Sequence, residues 1–151
     1  MAIKEGRTNN LRIYSIFNIR KEYQSFIFGR ERMLLEMVQS TDKVKESSVS
    51  MELSFICKPL EEANVNQIFQ HIQDRFPTTC VAEDTLKIKH QIKGEIKLKM
   101  RKYYIEAVCE GSRMLDLDLF QTLGQVNDSF LAFNTQEAEC GWLKPIKHLA
   151  Y

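Results

Sequence analysis

The sequence predicts an α+β fold, a mainly antiparallel sheet with helices packed against it, as a single domain over residues 1–151. Three observations predict it. Leu86 to Met100 alternates apolar residues with lysines, the mark of a sheet with one dry and one wet face. Glu61 to Phe76 and Arg113 to Val126 repeat apolar residues at helical spacing. The order of strands and helices lacks the regular alternation of a doubly wound parallel sheet.

Taken in order, Leu11 to Ile19 is rich in β-branched and aromatic residues and reads as a first strand. From Lys21 to Gln39 the pattern turns helical, and Ser40-Thr41-Asp42 closes it. Val49 to Cys57 fits two readings: Val49, Met51, Leu53, Phe55 and Cys57 alternate as in a strand, while Glu52, Phe55 and Ile56 also fit a short helix. Pro59 ends either one, because the residue before proline avoids the α region. The next helix carries one stripe of Val65, Ile68, Phe69 and Ile72 and stops at Pro77.

In the alternating run, Leu86, Ile88, Ile92, Ile96, Leu98 and Met100 share one parity, and Lys87, Lys89, Lys93, Lys97 and Lys99 the other. The run is too long for one ordinary strand, so an interruption is expected near His90 to Gly94. Arg101-Lys102 then turns the chain into a strand from Tyr103 to Cys109. The helix from Arg113 to Val126 places Leu115, Leu119 and Leu123 on one face, and a strand at Phe130 to Asn134 follows. The tail from Cys140 reads as irregular.

No Pro/Gly-rich linker or repeat divides the chain, and the first ten residues are expected to be flexible. The net charge of +1 lacks the strong excess that phosphate neutralisation demands of a sequence-independent DNA binder. No stretch approaches ~20 apolar residues, so no membrane span is expected. The N-terminus lacks the apolar region of a secretory signal, which points to the cytoplasm. Cys57, Cys80, Cys109 and Cys140 form no C-x-x-C pair, and no histidine stands at finger spacing. They read as free thiols of a reducing compartment, with no zinc.

Catalytic chemistry needs a nucleophile, a base and an orienting group. His71, His90 and His148 come with no such signature and read as ordinary surface or boundary residues. Asp116 and Asp118, two apart on a helix, fall on different faces and read as solvated carboxylates near a favourable helix N-terminus. No Gly-rich phosphate cradle exists; Gly29 and Gly124 are isolated within helical patterns, each with a local packing or termination reason. The residues thus point to a binding protein and not an enzyme, with no metal and no cofactor.

Two surfaces remain as binding candidates. The lysine face offers a nucleic-acid reading, but aromatic interleaving for base stacking is missing. A solvated sheet face, or an edge protected by lysine, is the plainer account. The first helix is the odd element. At about 100° per residue, Tyr23, Phe26, Ile27, Phe28, Met33, Leu34, Leu35, Met37 and Val38 spread over roughly 220°, wider than a core-facing stripe. Such a helix is either deeply buried or offers one flank to a partner.

Particular runs now become specific: Ile13-Tyr14-Ser15-Ile16-Phe17, Lys21-Glu22-Tyr23, Phe28-Gly29-Arg30-Glu31, Leu35-Glu36, and Gly141-Trp142-Leu143-Lys144-Pro145-Ile146-Lys147 near the end. Together they resemble the SirA family, the sporulation inhibitors of replication. The resemblance spans nearly the whole chain, and its two end motifs are the distinctive ones. It implies a protein made on entry into sporulation that binds the N-terminal domain of the initiator DnaA and keeps it from productive assembly at the replication origin. It also implies contact through the N-terminal helix, at aromatic positions one turn apart that fall on Tyr23 and Ile27, and at an aromatic position that falls on Phe55, with Glu52 beside it. Tyr23 and Phe55 keep aromatic character; Ile27 stands where an aromatic is found, and Lys144 where an asparagine is found. Tyr23 and Ile27 would project together from one side of the helix. The tail would be structural, with Trp142 plugging the core.

Overall fold

The computed structural model describes residues 11–44, 51–83 and 85–144. The flexibility expected of residues 1–10, the reading of Val49, and the tail residues Pro145 to Lys147 lie outside the described residues.

The chain runs β1 (Arg12–Ile19), α1 (Lys21–Ile27), α2 (Glu31–Val44), α3 (Met51–Ile56), β2 (Cys57–Lys58), α4 (Glu62–Arg75), β3 (Cys80–Ala82), β4 (Thr85–His90), β5 (Gly94–Met100), β6 (Tyr104–Gly111), α5 (Arg113–Val126), β7 (Phe130–Asn134) and β8 (Glu139–Trp142). The strands form one sheet in the order β3-β4-β5-β6-β1-β7-β8, with β2 paired to the end of β1. Every pairing is antiparallel, which is the α+β arrangement expected.

β1 lies in the middle and is covered on both faces, which explains why it reads as a continuous apolar run. Tyr14 and Ile16 face one way, where α4 (Ile68, Ile72) and α5 (Leu115, Leu119, Leu123) close over Leu86, Ile88, Ile96, Leu98 and Ile105. Phe17 and Ile19 face the other way, where Ile27 of α1, Leu34, Leu35 and Val38 of α2, and Leu53 and Ile56 of α3 cover Tyr104, Leu131 and Phe133. Each of these buried aliphatic or aromatic side chains stabilises the fold by about 1.5–3 kcal/mol.

The helices α4 and α5 follow their stripes, and each has a sequence-coded start. Ser112 Oγ accepts the Met114 N–H at 3.0 Å as the N-cap of α5, and Asn64 Oδ1 accepts the Glu61 N–H at 3.3 Å in a capping box on α4. The expected break in the alternating run is a hairpin. Its base needs glycine at Gly94 and Gly111: both have positive φ, and a Cβ on either would strike a backbone carbonyl, of Glu110 or of Lys93.

Several expectations are corrected. The helix from Lys21 to Gln39 is two helices. Gly29 takes φ +87 between them, and Arg30 N–H bonds back to the Ile27 carbonyl at 2.7 Å. This resets the helical register, so the wide apolar arc is two narrower stripes on separate helices. The Ser40-Thr41-Asp42 triplet does not stop α2, which runs to Val44; without Gly or Pro it imposes no break. Met51 to Ile56 is a helix, because Leu53 and Ile56 share its buried side while Met51 and Phe55 are exposed. Ile92 leaves its dry parity for the exposed hairpin tip, and Lys93 turns away from the lysine face to reach Asp118 on α5 at 3.2 Å. The tail is not irregular from Cys140: β8 pairs with β7, Leu131 opposite Trp142 and Phe133 opposite Cys140. Trp142 is half-buried and packs at the margin of the second core rather than plugging its centre.

Candidate functional site

The residues singled out by the resemblance lie on α1 and α3, which are joined where α1 begins and α3 ends. Ile19 of β1 pairs with Cys57 of β2, and the Arg20 N–H donates to the Ile56 carbonyl at 2.9 Å. The first turn of α1 is therefore fixed against the last turn of α3. Glu52 sits in the first turn of α3, where its negative charge favours the helix.

α1 has an inner and an outer side. On the inner side Ile27 is 0% exposed, Tyr23 packs half-buried against the second core, and the Gln24 amide bonds to Ser129 Oγ beneath it. Tyr23 and Ile27 do share a side, but it is the side turned toward the protein. The joint outward projection expected of them is corrected: Tyr23 reaches the surface in part, and Ile27 does not reach it. Ile27 positions the helix from below.

The outer side carries Phe26, 48% exposed, and the turn that follows carries the exposed Phe28. The Arg30 guanidinium lies 4.6 Å from the Phe26 ring centroid, and its Nη1 donates to the Phe26 carbonyl at 2.7 Å. That cation–π contact and hydrogen bond hold the ring in place at the surface. On α3, Met51 is 73% and Phe55 62% exposed, one turn apart, with Glu52 exposed between them. Of the residues that the resemblance marks, Tyr23 is half-buried while Glu52 and Phe55 are exposed, and the structure adds Phe26, Phe28 and Met51 as further exposed apolar side chains on this surface of helices. Gly29 was the available signal for Phe26: a helix ending there, with Ile27 inward, turns Phe26 outward.

This surface has aromatic and thioether side chains over firmly packed helices, and charges of both signs around them. It suits recognition of a protein by apolar anchors within a polar rim.

A hollow lies elsewhere. A groove of about 570 Å³ runs between α5 and β7–β8, lined by Leu117, Phe120, Ala132 and Leu143 with Tyr14 and Asp116 at its floor. Asp116 is only 2% exposed, which corrects its reading as a solvated residue. It accepts from Arg12 Nε at 2.6 Å, Arg12 Nη2 at 3.1 Å and the Tyr14 hydroxyl at 3.0 Å. Burial and this carboxylate push the Tyr14 phenol and the Cys109 thiol well above their ordinary range. Such a protonated, buried thiol is a poor nucleophile. Asp116, with three donors already on it, is committed to holding β1 to α5.

The described histidines serve the backbone. His71 Nδ1 lies 3.0 Å from the Gln67 carbonyl, and His90 Nδ1 faces the N–H groups of Ile92 and Lys93 at 3.2 and 3.0 Å. Among the described residues no three His, Cys, Asp or Glu side chains gather as metal ligands, and no helix is long and apolar enough to cross a membrane.

With this geometry in hand, comparison with known proteins is informative. The family model described as "Sporulation inhibitor of replication protein SirA" matches residues 12–147. The chain is also 24% identical over 148 residues to the Sporulation inhibitor of replication protein SirA of Bacillus subtilis (strain 168), covering 90% of this chain and 95% of that protein.

Proposed function

Because this chain belongs to the SirA family of sporulation inhibitors of replication, we propose that it acts in the cytoplasm as a single domain that blocks initiation of chromosome replication by occupying the N-terminal domain of DnaA. The observation that carries this reading is the exposed apolar ridge of α3, Met51 and Phe55, on a helix whose end is tied to the start of α1 by the Arg20–Ile56 hydrogen bond. Fixed aromatic side chains standing in water are the usual anchors of protein interfaces.

The mechanism is occlusion. Phe55 and Tyr23 insert into an apolar patch of the DnaA domain, and Glu52 sits at the rim. Ile27 acts through α1 as a positioning residue. A DnaA domain so covered cannot make its other contacts, and no bond is made or broken. Nothing in this action calls for a cofactor.

Calorimetric titration of the protein with the isolated N-terminal domain of DnaA tests the reading. Saturable binding is expected, weakened by about 2 kcal/mol or more in Phe55→Ala. Absence of binding between two folded proteins would remove DnaA as the partner.

A further inference from the structure

Among the described residues, the half of the sheet made by β3, β4 and β5 is covered on one face only. On the covered face Leu86, Ile88, Ile96 and Leu98 are buried under α4 and α5. On the other face stand Lys87, Lys89, Lys97 and Lys99. Lys89, Lys97 and Lys99 are exposed and Lys87 is half-buried, so the described parts of α1, α2 and α3 do not bury them.

The register makes this arrangement costly to the fold. Lys87 stands directly opposite Lys97, and like charges facing each other destabilise a sheet. Local compensation is thin. Glu95 reaches only Lys87, at 3.8 Å, and Glu106, opposite Lys99, is held by Arg101 at 2.8 Å. Among the described residues Lys89, Lys97 and Lys99 have no ion partner. Protection of a sheet edge does not explain Lys97 and Lys99, because β5 is an interior strand paired along its length with β4 and β6. The edge strand β3 is Cys80-Val81-Ala82 and carries no lysine.

The open face lies on the same side of the sheet as α1–α3: Glu106, opposite Lys99, shares its face of β6 with Tyr104 of the second core. α3 leads directly into β2, and just beyond it the Leu60 N–H donates to the Lys102 carbonyl at 2.7 Å, which ties this segment to the β5–β6 turn. Tyr103 in that turn packs against the core under α3, and the Lys102 ammonium lies 5.7 Å from its ring. Arg101 precedes Lys102 in this turn, and Lys99 lies at the end of β5. A molecule seated on Phe55 and Met51 therefore meets the lysines at its margin.

We infer that the lysine face is the second part of the partner surface and takes a patch of carboxylates on the same protein that α1 and α3 hold. The inference rests on the reading given under Proposed function. A protein surface fits better than a nucleic acid. Glu95, Glu106 and Glu110 stand among the lysines on this face, in facing pairs Lys89–Glu95, Lys99–Glu106 and Glu95–Glu110. A continuous phosphate backbone would meet these carboxylates, whereas separate carboxylates on a protein can address the lysines alone. Among the described residues the face around the lysines carries no exposed aromatic ring on which a base could stack, since Tyr104 on the same side of β6 is buried. Charges at the margin of an interface act mainly by steering the encounter.

The test is stopped-flow association of the full chain with the isolated N-terminal domain of DnaA at about 50 mM and about 500 mM salt. It uses wild type, Lys97→Glu with Lys99→Glu, and the milder Lys97→Gln with Lys99→Gln. Both positions are solvent-exposed, and the glutamine pair guards against misfolding of the reversed one. The association rate of the reversed protein is expected to fall about tenfold at low salt, with the glutamine pair between it and wild type and little change in dissociation. An unchanged association rate in both variants overturns the inference while leaving the DnaA reading in place, provided Phe55→Ala still weakens binding. No binding by wild type overturns both. Salt-labile retention on duplex DNA, lost in the reversed protein, overturns the inference in favour of nucleic acid.

Discussion

The indole Nε1–H of Trp142 donates to Oε2 of Glu31 at 2.9 Å, joining residues 111 positions apart. Glu31 Oε1 accepts the N–H of Gly29 at 3.0 Å. One carboxylate thus ties the turn between α1 and α2 to the edge strand β8. The Phe28-Gly29-Arg30-Glu31 and Gly141-Trp142-Leu143 runs, distant in the sequence, are parts of one contact.

This contact anchors the turn at the end of α1, so its loss should be felt in stability and in partner binding. Trp142→Phe keeps a ring and removes the donor, at an expected cost of about 1 kcal/mol. Glu31→Ala removes both bonds and should cost about 1–2 kcal/mol. The double variant should cost less than the sum, by about 0.5 kcal/mol or more, because the two residues share one bond. Urea denaturation of the three proteins measures this, and strict additivity would mean that the bond contributes nothing.

Ile27 and Phe55 are separated by role. Ile27→Ala empties a fully buried site and should destabilise the fold by about 2–5 kcal/mol. Phe55→Ala removes an exposed ring and should leave stability within about 0.5 kcal/mol while weakening the partner complex. Thermal unfolding and calorimetric titration of both variants read the two effects. A stable Ile27→Ala protein that nevertheless loses its partner would mean that α1 opens on binding and exposes Ile27.

The difference between these two residues also marks what the sequence could say. Periodicity placed Tyr23 and Ile27 on one side of a helix, but not which side the core lies on. That depends on Ser129 and the β1–β7 pair, more than 100 positions away. β5 was legible because half of the sheet has one wet face, which writes an alternation into the residues. β8 was not, since Glu139-Cys140-Gly141-Trp142 is short and its pairing with β7 is a tertiary matter. The break at Gly29 depends on a single positive φ that a helical pattern flanks on both sides. Asp116 looked like a solvated carboxylate because its partner, Arg12, stands 104 positions away.

That pair makes a strong prediction of its own. Arg12 and Asp116 are both buried, with a two-pronged contact and the Tyr14 hydroxyl on the same carboxylate. Asp116→Asn keeps the volume and removes the charge beside a buried guanidinium, which should cost about 3–5 kcal/mol. Arg12→Met combined with Asp116→Leu should cost less than either single change, since no uncompensated charge is left inside. Equilibrium unfolding in urea compares them. A double variant less stable than both singles would show that the pair stabilises the fold beyond its desolvation cost.

The thiols extend the argument to pH. Burial pushes the Cys57 thiol up to about 12 from an ordinary value of 9.0, against a lowering by the nearby Arg20 charge. The folded state therefore keeps a proton that the unfolded chain releases. Its contribution is fully present below about pH 9 and is lost as pH rises toward about 12. Cys109 is raised by burial in the same sense. Alkaline titration of the unfolding midpoint should show a decline across this window, with a shallower slope in Cys57→Ala. Near neutral pH, alkylation followed by mass spectrometry should label the exposed Cys80 first and leave Cys57 and Cys109 unmodified until the protein unfolds. Labelling of Cys57 at the rate of Cys80 would mean that the α3–β2 junction, and with it the seat of Phe55, opens readily in the native protein.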